Sequence, residues 1–187
     1  IGGFYPYNPT KGKLCWGKDD LRVYIFVPNS NCNISHMKSE IRAIYNMGNH
    51  SVHIHDTYDE GLRIAKTVLN QNSIDLLNRN IKLSESNKKL FKLFYDMVST
   101  NGNRDDVCID SSFVLALHGL REARDLDYLS LKNNILFNNS DINCHNSEAR
   151  HYTVDKDTII LNPEYHFYYG GIKFASLDIV KKMKMKR

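Results

Sequence analysis

No apolar run in this chain comes near the ~20 residues that a bilayer-crossing helix needs, and no signal-peptide pattern opens it. Paired cysteines are also missing. Cys15, Cys32, Cys108 and Cys144 are scattered, with no C-x-x-C and no zinc-type spacing, which argues against a disulfide framework and for reduced thiols in a cytoplasmic protein. There is no strong charge of either sign. The net charge is +4, and five basic side chains sit in Lys181 to Arg187 alone, so the overall charge makes no case for nucleic acid. Internal repeats are absent. Gly48-Asn-His-Ser51 lacks the spacing and the lysine of a phosphate-binding P-loop. What remains is an ordinary composition, 42% hydrophobic and 25% charged over 187 residues, enough for one domain or two small lobes with a sizeable core.

The expected fold class is α+β. Residues 1–20, rich in glycine, proline and aromatics, predict an irregular arm. Residues 21–83 predict a β-α-β-α lobe. Leu21 to Val27 is β-branched and aromatic and reads as a buried strand, Ser35 caps a helix reaching Met47, Ser51 to His55 reads as a second strand, and Asp56 caps a second helix. Residues 84–187 predict a mixed-sheet core with flanking helices. Ser84 opens an amphipathic helix with Leu90, Phe91, Leu93, Phe94, Met97 and Val98 inward and Lys88, Lys89 and Lys92 outward. A polar loop is expected over 132–147, and strands over His151 to Val154, Thr158 to Leu161, Tyr165 to Tyr169 and Ile172 to Ala175. Ser176 caps a basic final helix.

Chemistry concentrates between Cys108 and Leu129. A short strand leads to Ser111 and Ser112, then an apolar helix over Phe113 to His118, a stop at Gly119, Arg121 and Arg124, and a strand holding Asp125 and Asp127. Carboxylates two apart on a strand share a face. Their repulsion asks for a cation, and Mg2+ suits one or two carboxylates with the rest of its shell from water and phosphate. A bare D-x-D equally describes an acidic strand edge in solvent, ion-paired to Arg121 and Arg124. Elsewhere His53 and His55 share a strand face near His36 and His50, without a third ligand in pattern; hydrogen-bonded filler is the simpler reading.

Read together, Asp110-Ser111-Ser112, the apolar helix and Gly119-Leu-Arg121-Glu-Ala-Arg124-Asp125-Leu-Asp127 resemble the nucleotidyltransferase superfamily. Its pattern is h-G-[G/S] followed, about nine to thirteen residues on, by D-h-[D/E]-h. The branch most resembled is that of the abortive-infection toxin type nucleotidyltransferases. The stretch from Gly171 to Asp178, with Lys181 and Lys184, is similar to that family's strand-to-helix return, and the resemblance covers residues 84–187. It implies Mg2+-dependent transfer of a nucleoside monophosphate from a nucleoside triphosphate to an unknown acceptor. Asp125 and Asp127 would hold metal, Ser111 and Ser112 the phosphates, and Arg121 or Arg124 the phosphate charge. Ser111 stands where the family has glycine. A third carboxylate is not evident: the strand read over 158–162 ends in Asn162, and Asp155, Asp157 and Glu148 fall in turns or loops. A non-catalytic module binding a nucleotide or sugar nucleotide is therefore the rival reading. For an RNA-directed toxin only the basic C-terminal helix speaks.

Overall fold

The computed structural model describes residues 22–55, 57–79, 81, 83–100, 104–132 and 138–186. The irregular arm expected over 1–20 and the Asp56 cap lie outside these. The chain forms two compact units, Ile1–Lys66 and Thr67–Arg187. In the first, α1 spans Ile34–Tyr45, a 3-10 turn spans Gly48–His50, and α2 begins at Tyr58 and runs to Val68. Neither expected strand forms: residues 22–27 and 52–55 carry no ladder, and Tyr24, Ile25 and Val27 are exposed. A β-branched run is strand-prone, but a strand exists only against a partner, and among the described residues none pairs with it. The α1 cap is Asn33, whose Oδ1 accepts from the His36 amide at 3.0 Å, two residues ahead of the expected Ser35. Asn46 in the left-handed region (φ 48°) ends the helix, before Gly48 is reached.

The second unit holds α3 (Gln71–Leu77), α4 (Glu85–Thr100), β1 (Val107–Ile109), α5 (Ser111–Leu117), β2 (Leu126–Ser130), β3 (Ile142–Cys144), α6 (Lys156–Leu161), β4 (His166–Tyr169), β5 (Ile172–Ala175) and α7 (Leu177–Lys186). Helices with a five-stranded mixed sheet make this an α+β fold. The strand order is β3-β2-β1-β5-β4, with β1–β2 and β4–β5 antiparallel and β1–β5 and β2–β3 parallel.

Alternation along these strands gives the sheet two faces. Ile109, Tyr128, Phe167 and Phe174 share one, packed by α4 and α5. Phe174 stacks on Phe167 (ring centroids 5.3 Å apart) and meets Phe91 at 5.6 Å and Phe113 at 6.4 Å, while Phe94 meets Tyr128 at 5.3 Å. On α4, Phe91, Phe94 and Val98 are buried as their spacing predicts, but Leu93 is 46% exposed and does not face inward. The opposite face carries Cys108, Asp127, His166 and Tyr168 and is covered by α6, whose Ile159 carbonyl accepts from the His166 ring at 2.9 Å.

Three elements differ from expectation. Thr158 to Leu161 is helix, not strand, because Asp155 accepts from both the Thr158 amide (2.8 Å) and hydroxyl (2.7 Å) and so caps α6. His151 closes a 3-10 turn over Asn146–His151, so no strand runs to Val154. The expected loop after Lys132 contains β3. Asn72 and Ser73 lie inside α3. There Asn70 donates to the carbonyls of Pro163 (2.9 Å) and His166 (3.1 Å), Asn72 donates to that of Glu164 (3.0 Å), and the Ser73 hydroxyl accepts from the Tyr168 amide (2.8 Å). These bonds place α3 along the outer side of β4. The Gly170-Gly171 turn, both residues at positive φ, joins β4 to β5, and Gly119 (φ 69°) ends the turn after α5.

Candidate metal centre

β1 and β2 pair in a register that sets Ile109 opposite Tyr128, and the next step of the ladder sets Asp110 opposite Asp127, with the Asp110 amide donating to the Asp127 carbonyl at 2.9 Å. Directly opposed like charges on one face of an antiparallel pair repel. Here both are buried, Asp110 fully and Asp127 to 6% exposure. β3 runs parallel beside β2, and just past its end the His145 amide donates to the Tyr128 carbonyl at 2.8 Å, which turns the imidazole onto the same face. Its Nε2 lies 3.0 Å from Asp127 Oδ1 and its Nδ1 3.7 Å from Asp110 Oδ1. One ligand atom from each of Asp110, Asp127 and His145 falls within 4.8 Å of the others, the grouping among the described residues that can hold a metal ion.

Asp110 is held from behind. The Tyr152 hydroxyl, arriving from the 3-10 turn after β3, donates to Oδ2 at 2.7 Å. Oδ1 has no hydrogen-bond partner although it is buried. A buried carboxylate oxygen without a donor is costly, and it faces the other two ligands. Burial pushes the Asp110 carboxyl up to about 6, opposed by the His145 charge and the Tyr152 hydrogen bond and helped by the charge of Asp127. For His145, burial works to lower the imidazole, but the hydrogen bond to Asp127 and the charges of Asp110, Asp127 and Glu148 outweigh it, and the ring is raised above its ordinary value. The donor set fits a divalent cation: two carboxylates and an imidazole, with one oxygen unpartnered.

Because Asp110 binds its proton more tightly folded than unfolded, its ionisation works against the fold as pH rises from 3.8 to about 6. Two units correspond to about 3 kcal/mol. His166, pushed down to about 4 by burial, has the opposite sign, losing stability as pH falls, so the wild-type curve alone mixes the two. The difference from Asp110→Asn removes the His166 contribution and keeps that of Asp110 together with the His145 charge coupled to it. In chelator, wild-type stability relative to Asp110→Asn should fall by about 3 kcal/mol between about pH 3 and pH 7 in urea melts; a flat difference removes the buried charge from the account.

The residues singled out from sequence are only partly brought together. Asp127 is in the cluster; Asp125 is not. It precedes β2, half-buried, with the Ser112 hydroxyl 3.5 Å from its Oδ1. Ser111 and Ser112 are buried at the start of α5 directly after Asp110. Arg121 and Arg124 are exposed: the first donates to the Glu122 carbonyl at 3.2 Å, and the second lines, with Lys89, Asn87 and Asp141, an open cleft of about 310 Å³ that contains none of the three clustered residues. Asn162 is the C-cap of α6, Asp155 its N-cap, and Glu148 pairs with His151 at 3.6 Å. His53 pairs with Glu60 at 3.1 Å, and His55 is exposed. The residues missed are Asp110 as a ligand, His145 and Tyr152. One signal pointed to Asp110, a carboxylate ending a wholly apolar strand, which is rarely buried without a partner.

Ser111 sits at φ 53°, in the left-handed region. Ser111→Gly and Ser111→Ala both lose the hydroxyl and differ in the Cβ, so glycine should be the more stable by about 1 kcal/mol, the reverse of their order inside a helix. Equal melts for the two would show that the turn relaxes.

No protein-family model, curated protein or solved structure matches this chain.

Proposed function

We propose that the protein is a divalent-cation-dependent nucleotidyltransferase-like transferase, moving a nucleoside monophosphate or a related phosphoryl-type group to an acceptor. The observation carrying this reading is the opposition of Asp110 and Asp127 across β1–β2, with the unpartnered Asp110 Oδ1 aimed at His145. Together with the serine turn and the D-L-D entry, it supplies a second buried acid beside Asp127, though not where the family places its third. Mg2+ is the ion the resemblance implies. A divalent cation there would neutralise triphosphate charge and polarise the attacked phosphorus. Asp110 and Asp127 would hold it. Ser111 and Ser112 border the phosphates, and Arg121 and Arg124, exposed on the turn before Asp125, offset their charge. An acceptor hydroxyl oxygen bonds to the α-phosphorus as the bond to the bridging oxygen of pyrophosphate breaks, pyrophosphate leaves, and the acceptor proton passes to Asp125, the carboxylate outside the cluster.

The rival, a non-catalytic nucleotide- or sugar-nucleotide-binding module, is favoured by one observation: Arg124 faces a cleft apart from the three ligands. Incubation with α-labelled nucleoside triphosphates and Mg2+ or Mn2+, scored by label transfer and pyrophosphate release, separates the two. Release by wild type and none by Asp127→Asn supports the transferase. Nucleotide binding indifferent to the cation, with no release, supports the module.

A further inference from the structure

The third ligand position is filled by a nitrogen. His145 is half-buried, its backbone fixed by the hydrogen bond to the Tyr128 carbonyl, and its ring lies between the two carboxylates. Mg2+ is a hard ion that takes oxygen, dehydrates reluctantly and gains little from imidazole. First-row transition ions bind imidazole and carboxylate together, and their affinity for mixed nitrogen and oxygen sites exceeds that of the alkaline earths. Asp110 is suited to such an ion: Tyr152 occupies Oδ2 with a neutral donor, which fixes the carboxylate without cancelling its charge, and leaves Oδ1 as a single directed ligand.

We propose that Asp110, Asp127 and His145 form a site selective for a first-row transition ion over Mg2+, with His145 the selecting ligand. This rests on the reading that the cluster holds a divalent cation, and goes beyond it in naming the class of ion. Mg2+ would still enter as the counter-ion of a triphosphate; the ion resident on the protein is the other kind.

The test is binding, followed by calorimetry and by pulsed EPR of bound Mn2+. Wild type should bind Mn2+ at least ~10-fold more tightly than Mg2+, and the Mn2+ spectrum should carry the coupling of a directly bound imidazole nitrogen, altered by 15N-histidine labelling. In His145→Gln the coupling should vanish and Mn2+ affinity fall at least ~10-fold, with Mg2+ affinity within about threefold of wild type. The labelling arm needs no variant, so a misfolded His145→Gln leaves the question open to decision. Mg2+ bound as tightly as Mn2+ with no nitrogen coupling overturns the selectivity while leaving a cation site. Binding of neither ion overturns both the inference and the reading beneath it.

Discussion

Asp127→Asn is expected to weaken divalent-cation binding by more than about 100-fold, some 2.8 kcal/mol, and with it any cation-dependent release of pyrophosphate. Asparagine keeps the size and one acceptor of the side chain but removes its charge. Asp127 cannot be replaced by a neighbour, because the position beside it on β3 is Asn143 and the acid just before β2, Asp125, lies outside the cluster. Asp125→Asn is the control. It should leave cation affinity within about tenfold of wild type while reducing turnover, since its proposed part is to take the acceptor proton. Calorimetric titration with Mn2+ reads the first contrast and label transfer the second. Wild-type affinity in Asp127→Asn would remove it as a ligand. Equal losses of affinity in both variants would restore the pair that sequence spacing alone suggests.

Phe174→Ala should cost about 3–5 kcal/mol of folding stability, a large share of the roughly 5–15 kcal/mol of an ordinary domain. Phe174 is fully buried in the centre of the aromatic face, with Phe91, Phe113, Phe167 and Tyr169 all within 6.4 Å between ring centroids. Those rings come from α4, α5 and β4, so a cavity there cannot be closed by one side chain moving in. Leu93→Ala is the comparison. Although Leu93 falls among the apolar positions of α4, it is 46% exposed and should cost under about 1 kcal/mol. Urea midpoints at matched slope measure both; a Phe174→Ala loss near that of Leu93→Ala would place the core elsewhere.

Much of the second unit is legible from local chemistry. The amphipathic period of α4, the run from β1 through α5 to β2, and the strand, double-glycine turn, strand and serine-capped helix at the C-terminus all follow from spacing and turn residues. Elements fail where a non-local partner or a single cap decides. Thr158-Ile-Ile-Leu161 is as strand-prone as any stretch here, yet the carboxylate of Asp155 starts a helix through it. β3 is three residues in a polar stretch, too short to show a period. The strands expected at 21–27 and 51–55 had propensity but, among the described residues, no mate. The site divides in the same way. Asp127 is readable because the spacing of D-L-D is local. Its pairing with Asp110 depends on the β1–β2 register, set by which faces are buried, and the arrival of His145 depends on a strand that composition hid.

The bonds from α3 to β4 have a consequence for how the protein behaves in company. β4 is an edge strand, and an edge with free amides and carbonyls invites another chain to add to the sheet, the first step towards aggregation. Asn70, Asn72 and Ser73 take up the outward His166 carbonyl and Tyr168 amide with side chains of one helix. At the other edge β3 is only three residues long, too brief a template to recruit a partner strand. A sheet this aromatic is thereby kept from extending itself, by two asparagines and a serine at one end and by brevity at the other.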